Sequence, residues 1–242
     1  MAEPTIFATD KKKNVRAMFD RIAFRYDFLN HFLSLGIDRY WRNKSVKQLK
    51  NISPKKILDI ATGTGDFAVC SFHKLHPEHL TGIDISEEML EFGRKKLKKK
   101  KLDNYITLIT GDSEAMPFDD QSFEAITVGF GVRNFEDLMA GLREMFRVLQ
   151  PNGRVVILEF SKPGIFPVKQ LYHFYFRFIL PLLGRIISKD KTAYTYLHDS
   201  VLAFPDRDDF IKLLNDAGFS NTRFISLSFG IASIYVGDKM LK

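Results

Sequence analysis

Residues 57–66, ILDIATGTGD, run from an apolar stretch into a turn with two closely spaced glycines, and residues 81–86, TGIDIS, follow after a helix-length interval. The first stretch reads as a buried strand that breaks at Gly63 and Gly65. Glycine lacks a Cβ and adopts positive φ at little cost, so the chain can turn sharply and present backbone amides to a ligand. The second stretch reads as another buried strand, ending on Asp84. In nucleotide-binding α/β folds, an acid roughly 20 residues beyond the glycine turn reaches the ribose hydroxyls. The two stretches together describe a nucleoside pocket. Gly63, Gly65 and Ala68 also satisfy the tolerant dinucleotide pattern GxGxxG/A, so from these residues alone a hydride-transfer enzyme is as admissible as any other nucleoside user.

The pattern around this pair sets the fold class. Apolar runs at 56–60, 80–85, 106–110, 125–130, 154–160, 222–229 and 232–237 alternate with helical patterns. Such alternation predicts a seven-stranded, mostly parallel α/β sheet with helices on both faces. Ser86 is placed to cap a helix over 87–98, with acids first and bases last as the helix dipole prefers. A second helix over 136–149 stops at Pro151 and Gly153, and a third over 206–217 stops at Gly218. The last two strands are separated by little more than Gly230 and so predict a C-terminal antiparallel hairpin. With 242 residues, 45% hydrophobic and 27% charged, the chain suits one domain better than two.

Composition narrows the function classes. A single cysteine, Cys70, forms no internal disulfide and no cysteine metal cluster, and the first residues, MAEPTIFATDKKK, lack a secretory apolar core. Both point to a cytoplasmic setting. The net charge of +7 is concentrated in the runs 11–13 and 94–101. These runs lack interleaved aromatics, so they read as solvated surface rather than as a nucleic-acid site.

Four further stretches carry a resemblance: YDFLNHFLSLGIDRYW at 26–41, GDSEAMPF at 111–118, VGFGVRN at 128–134 and RVLQPNGRVVILEFS at 147–161. In this order, over nearly the whole chain, they resemble class I S-adenosylmethionine-dependent methyltransferases, and within them the family that C-methylates quinone precursors in menaquinone and ubiquinone synthesis. The resemblance implies a Rossmann-like sheet, S-adenosylmethionine as cofactor, no metal, and a reduced polyprenyl quinone precursor as acceptor, with demethylmenaquinol preferred over the benzoquinol precursor of ubiquinone. It also implies that Gly63, Thr64 and Gly65 meet the amino-acid moiety, Asp84 the ribose, and Asp112 with Ser113 the adenine. Gly129 stands where some members have serine, and Asp38 where many have histidine. A carboxylate at 38 can hold Arg39 or Arg42, whereas an imidazole role there is lost.

Methylating a ring carbon requires electron density on that carbon, which loss of a neighbouring phenolic proton supplies. Arg133 and Tyr26 lie inside the resembling stretches and rank first as catalytic candidates. Tyr26 serves equally as core packing. Arginine is always protonated in proteins, so Arg133 would stabilise the phenolate oxygen or position a water; the structural alternative is an ion pair with Glu136 or Asp137. Asp27, His31, His198, Asp199 and Glu159 are further candidates. Residues 1–50, aromatic over 15–33, suggest a helical cap on the cofactor. Residues 162–204 suggest a helical insertion or lid. Its aromatic stretch 165–187 has Lys169, His173 and Arg177 at helical spacing, which fits peripheral contact with a membrane or a homodimer face.

Overall fold

The computed structural model describes residues 10–34, 36–174 and 191–241, and their side chains except at 25–33, 173 and 191–194. Seven strands form one sheet: β1 (Lys56–Ile60), β2 (His79–Asp84), β3 (Ile106–Thr110), β4 (Phe123–Gly129), β5 (Leu149–Phe160), β6 (Ser220–Leu227) and β7 (Ala232–Asp238). Their spatial order is β3-β2-β1-β4-β5-β7-β6. The first five strands are mutually parallel. β7 runs antiparallel to both of its neighbours, β5 and β6. The predicted hairpin is therefore present, but its second strand lies inside the sheet and its first at the edge.

Helices α1 (Lys11–Leu33), α2 (Ile37–Val46), α3 (Asp66–Leu75), α4 (Glu87–Lys100), α5 (Leu138–Val148), α6 (Val168–Phe174), α7 (Lys191–Ala203) and α8 (Asp208–Asp216) accompany the strands. Side chains alternate across a strand, and here that alternation feeds two cores. Ile57, Val156, Leu158 and Ile234 pack beneath Trp41 of α2, Phe67 of α3 and Leu90 of α4. Leu58, Ile60, Val155 and Ile157 pack beneath Leu142 and Met145 of α5 and Phe210 and Leu214 of α8. Each of these inner-strand side chains is fully buried, worth about 1.5–3 kcal/mol apiece.

Helix ends follow local chemistry. Ser86 accepts from the Met89 amide and caps α4 as expected. α5 begins at Leu138 because Asp137 is its cap, accepting from the Ala140 amide. β5 starts at Leu149, before Pro151, because the strand bulges: Phe123 pairs with Leu149 and Ala125 with Arg154. Among the described residues, no helix is long and apolar enough to cross a membrane.

The chain lays β2 and β3 to one side of β1, then returns to place β4 on its other side. Open parallel sheets leave a crevice at such a reversal, beyond the carboxyl ends of the strands, where ligands bind.

Candidate active site

A cleft opens at that point. The turns after four parallel strands supply its floor: Ala61 and Gly63 after β1, Asp84 and Ile85 after β2, Asp112, Ser113 and Glu114 after β3, and Gly129, Phe130 and Gly131 after β4. Lys12, Val15 and Phe19 of α1 line it as well, with Met89, Asn134 and Phe135.

The glycine turn is built by backbone geometry. Gly63 and Gly65 have φ of 56° and 81°, as the sequence predicts. Gly131 closes against the same loop, where an added Cβ would lie 2.5 Å from Ala61 Cβ. The Asp84 carboxylate bridges the loop to the next helix: the Gly63 amide donates to Oδ2 at 2.8 Å and the Ser86 amide to Oδ1 at 2.9 Å. Each oxygen keeps lone-pair capacity for a hydroxyl. Burial pushes the Asp84 carboxyl up from its ordinary value, while the amides of Ser86, Gly63 and Ile85 pull it back.

After the neighbouring strand β3, Asp112 accepts the Glu114 amide on Oδ1 at 2.9 Å and Lys12 Nζ on Oδ2 at 2.6 Å. It is both a turn-forming residue and part of the cleft lining. Ser113 lines the cleft beside it. Thr64 and Gly65 are placed differently. The Thr64 side chain is buried and its hydroxyl accepts from Lys96 at 3.0 Å, whereas Gly65 is the residue before α3 and its amide donates to the Thr62 carbonyl.

Beneath the loop, Asp59 is fully buried and accepts from Thr62 Oγ1 and Thr127 Oγ1, both at 2.6 Å. Burial pushes its carboxyl up to about 6. Asp38 is buried too, but turned away from the cleft: it accepts Ser34 Oγ at 2.8 Å and pairs with Arg42 at 2.5 Å, not with Arg39.

Arg133 sits in the short turn Val132–Asn134 after β4. Its partner is Glu159 at the end of β5, 2.7 Å from Nη1, rather than Glu136 or Asp137. Nη1 also donates to the Phe130 carbonyl, and the guanidinium carbon lies 5.4 Å from the centre of the Phe160 ring. Arg133 Nε is buried without a hydrogen-bond partner among the described residues. The next residue, Asn134, lines the cleft and accepts Tyr196 Oη of α7 at 3.1 Å. Burial pushes the Tyr196 phenol up to about 12, and pushes that of Tyr172 in α6 up as well. His198 and Asp199 contact each other at 3.0 Å and are half-exposed. The side chains of Tyr26, Asp27 and His31 lie outside the described residues, as do residues 175–187 of the aromatic stretch and the His173 side chain.

Sequence reasoning took the lysine run 11–13 as solvated surface. Only Lys13 fits that reading, with an exposed pair to Asp10. Lys11 Nζ donates to the carbonyl of Phe135 and, at 3.4 Å, to that of Arg133. Lys12 also reaches Glu114 at 3.2 Å. Near the middle of the helix, Asp20 accepts Ser86 Oγ at 2.5 Å. α1 is thus tied to the turns after β2, β3 and β4.

The residues fit S-adenosylmethionine. The cleft combines a glycine cradle, an acid with spare acceptor capacity at the ribose spacing, and a second acid with Ser113 after the neighbouring strand β3. Solved structures with the same architecture include a SAM-dependent methyltransferase from Thermotoga maritima, with a TM-score of 0.65 and 18% identity over 93% of this chain and 99% of that one. The [4+2]-cyclase SpnF also has a TM-score of 0.65, with 15% identity over 94% and 96%. These likenesses establish the fold and leave the chemistry to the site. Sequence relatives are much nearer. A demethylmenaquinone methyltransferase of Bacteroides fragilis is 48% identical over 96% of both chains. The ubiquinone/menaquinone biosynthesis C-methyltransferase UbiE of Geotalea daltonii is 47% identical over 96% of this chain and 98% of its own. The profile of the ubiE/COQ5 methyltransferase family matches residues 7–239.

Proposed function

This chain belongs to the ubiE/COQ5 methyltransferase family, and on that premise we propose that it C-methylates a reduced polyprenyl quinone precursor, with demethylmenaquinol as the acceptor. S-adenosylmethionine, when bound, supplies an electrophilic methyl group on a sulfonium. Asp84 holds the ribose hydroxyls, the turn at 63–65 receives the amino-acid moiety, and Asp112 with Ser113 takes the adenine. Thr64 acts in this turn through its backbone, its hydroxyl being held by Lys96.

The observation that carries the acceptor side is Arg133. Its guanidinium is buried, fixed by Glu159 and the Phe130 carbonyl, and retains an unpartnered Nε–H one residue from cleft-lining Asn134. An unfilled buried donor costs about 1–3 kcal/mol, a cost that an acceptor oxygen removes. As a water carries the acceptor's hydroxyl proton to solvent, Arg133 Nε–H stabilises the negative charge left on that oxygen and Tyr26 from α1 assists. The ring carbon then takes the methyl as the S–CH3 bond breaks, and loss of the ring proton to water restores the aromatic ring. Methyl transfer from a cation to an anionic ring cancels both charges, so excluding water with Phe130, Phe135 and Phe19 favours the reaction.

The exposed apolar side chains Ile165, Phe166, Leu171 and Phe174 support peripheral contact of this face with a lipid surface, where a polyprenyl acceptor resides.

Transfer of labelled methyl from S-adenosylmethionine to reduced demethylmenaquinone and to the corresponding benzoquinol, in liposomes, tests the reading. Methylated naphthoquinol is expected. Product from the benzoquinol alone replaces the acceptor, and no product from a protein that binds S-adenosylmethionine refutes the proposal.

A further inference from the structure

Glu159 lies one residue from the end of β5, and the parallel pairing of Gly129 with Leu158 brings it beside the turn that follows β4. Its side chain is fully buried and is not among the residues that line the cleft. It nevertheless grips Arg133 twice. Oε1 accepts Arg133 Nη1 at 2.7 Å and the Phe160 amide at 2.9 Å, and Oε2 receives the Arg133 backbone amide at 3.4 Å. Nη1 is also on the Phe130 carbonyl and the Phe160 ring lies beside the guanidinium, while Nε–H has no partner among the described residues.

A buried ion pair rarely justifies itself by stability, because desolvating both charges offsets most of their attraction. Its effect on charge is different. A lone buried guanidinium would stabilise the ionised acceptor as strongly in the ground state as during transfer, and uniform stabilisation does not raise turnover. A guanidinium already neutralised by Glu159 acts on the acceptor oxygen through a fixed N–H dipole, whose attraction grows as that oxygen loses its proton, before methyl transfer cancels the charge.

Resting on the reading above, we propose that Glu159 is a positioning residue, aiming Arg133 Nε at the acceptor oxygen and offsetting the arginine charge so that the acceptor binds as the neutral hydroquinol. Among the described residues, the ionisable groups facing this pair are Tyr172 of α6, Tyr196 of α7, Tyr235 of β7 and Lys11 of α1, with Asp206 beside Tyr172 and Tyr235. Burial pushes all three tyrosines up, Tyr196 and Tyr235 to about 12. The tyrosines stay neutral through the neutral range, burial lowers Lys11 and raises Glu159, and a rising limb of kcat against pH that moves between the enzymes yet persists in Glu159→Gln reports the acceptor.

The experiment measures kcat against pH for wild type, Glu159→Gln and Glu159→Asp. It uses saturating S-adenosylmethionine and a short-tailed reduced demethylnaphthoquinone, with S-adenosylmethionine affinity determined separately. Glu159→Gln leaves Arg133 with an uncompensated charge. Its rising limb is expected to move down by about one pH unit, within the range for a nearby opposite charge, and its plateau to fall about tenfold. Glu159→Asp restores the charge but not the reach, so the limb returns to the wild-type position while the plateau stays low. A Glu159→Gln enzyme with a lowered plateau and an unmoved limb makes Glu159 a structural support and overturns the proposal, as does an unchanged profile. If Glu159→Gln does not fold, a displaced limb in Glu159→Asp overturns it. Wild-type protein that binds S-adenosylmethionine but methylates no quinol refutes the functional reading instead, so the two failures are distinguishable.

Discussion

Asp59 provides a measurement of stability independent of turnover. It lies in the middle of β1, with Thr62 and Thr127 hydroxyls as its hydrogen-bond partners. Desolvation is the largest influence on its carboxyl; the two hydroxyls and the more distant Arg42 pull the other way, and Asp84 adds to the rise. The outcome is a carboxyl raised from 3.8 to about 6. A raised acid binds its proton more tightly in the folded than in the unfolded protein. Its contribution to stability is therefore greatest below the unfolded value near 4 and is lost as pH rises through the folded value near 6. A rise of about two units at about 1.4 kcal/mol each gives a loss of about 3 kcal/mol across that window, with no further change above pH 7. Asp59→Asn keeps the shape and the two hydroxyl contacts while removing the titration. Urea unfolding of wild type and Asp59→Asn at intervals from pH 3.5 to 7.5 isolates the term, because every other titrating group cancels in the difference. The variant's stability relative to wild type is expected to climb by about 3 kcal/mol between pH 4 and 6 and then level. A flat difference curve, or one that falls with pH, refutes the claim that burial outweighs the two hydroxyl bonds.

Three other perturbations separate the parts of the site. Asp84→Ala removes the ribose acceptor and the tie to the Gly63 amide; calorimetric titration is expected to show S-adenosylmethionine affinity falling about 100-fold, equivalent to two lost charge-assisted hydrogen bonds, and an unchanged affinity removes Asp84 from the cofactor site. Arg133→Ala is expected to lower kcat by about 10²–10³ with cofactor affinity retained, whereas unchanged turnover discards its assignment to the acceptor. Gly129→Ser places a Cβ 2.7 Å from the Phe67 ring, so thermal unfolding is expected to show a loss of about 1–3 kcal/mol that Phe67→Leu recovers; no loss would mean that α3 shifts freely over β4.

The sheet was legible because its strands are nearly continuous apolar runs, and all seven were located within a few residues. The misjudged edges have local causes. β5 was started at Arg154 because Pro151 and Gly153 read as a terminator, whereas the strand accommodates them in a bulge opposite Phe123–Ala125. The insertion of β7 between β5 and β6 was beyond reach of the residues alone, since a hairpin signal says which strands pair and not which one joins the sheet. Gly63 and Asp84 could be placed at the cleft because turn chemistry and spacing act locally, whereas Asp112 and Ser113 came from the family resemblance alone. The ion-pair partner of Arg133 was out of reach: Glu136 and Asp137 are nearby in sequence, while Glu159 becomes a neighbour only through strand pairing. Lys12 was missed for the complementary reason, because nothing in KKK distinguishes the lysine that will face Asp112 from the one that will face water.

The place of β7 has a consequence for the order in which the molecule is completed during synthesis. β5 carries four fully buried residues in succession, Val155 to Leu158, and one of its two edges is paired by β7 alone. That edge stays open until the chain has been made through Asp238, so a nascent chain already holding β1 to β5 exposes an apolar template of the kind that recruits other chains. The same closure covers the buried Arg133–Glu159 pair, since Ser233 is the residue that β7 lays opposite Glu159. A ribosome-bound intermediate can thus own an ordered nucleoside cleft, formed wholly by earlier strands, while the wall behind Arg133 is still wet.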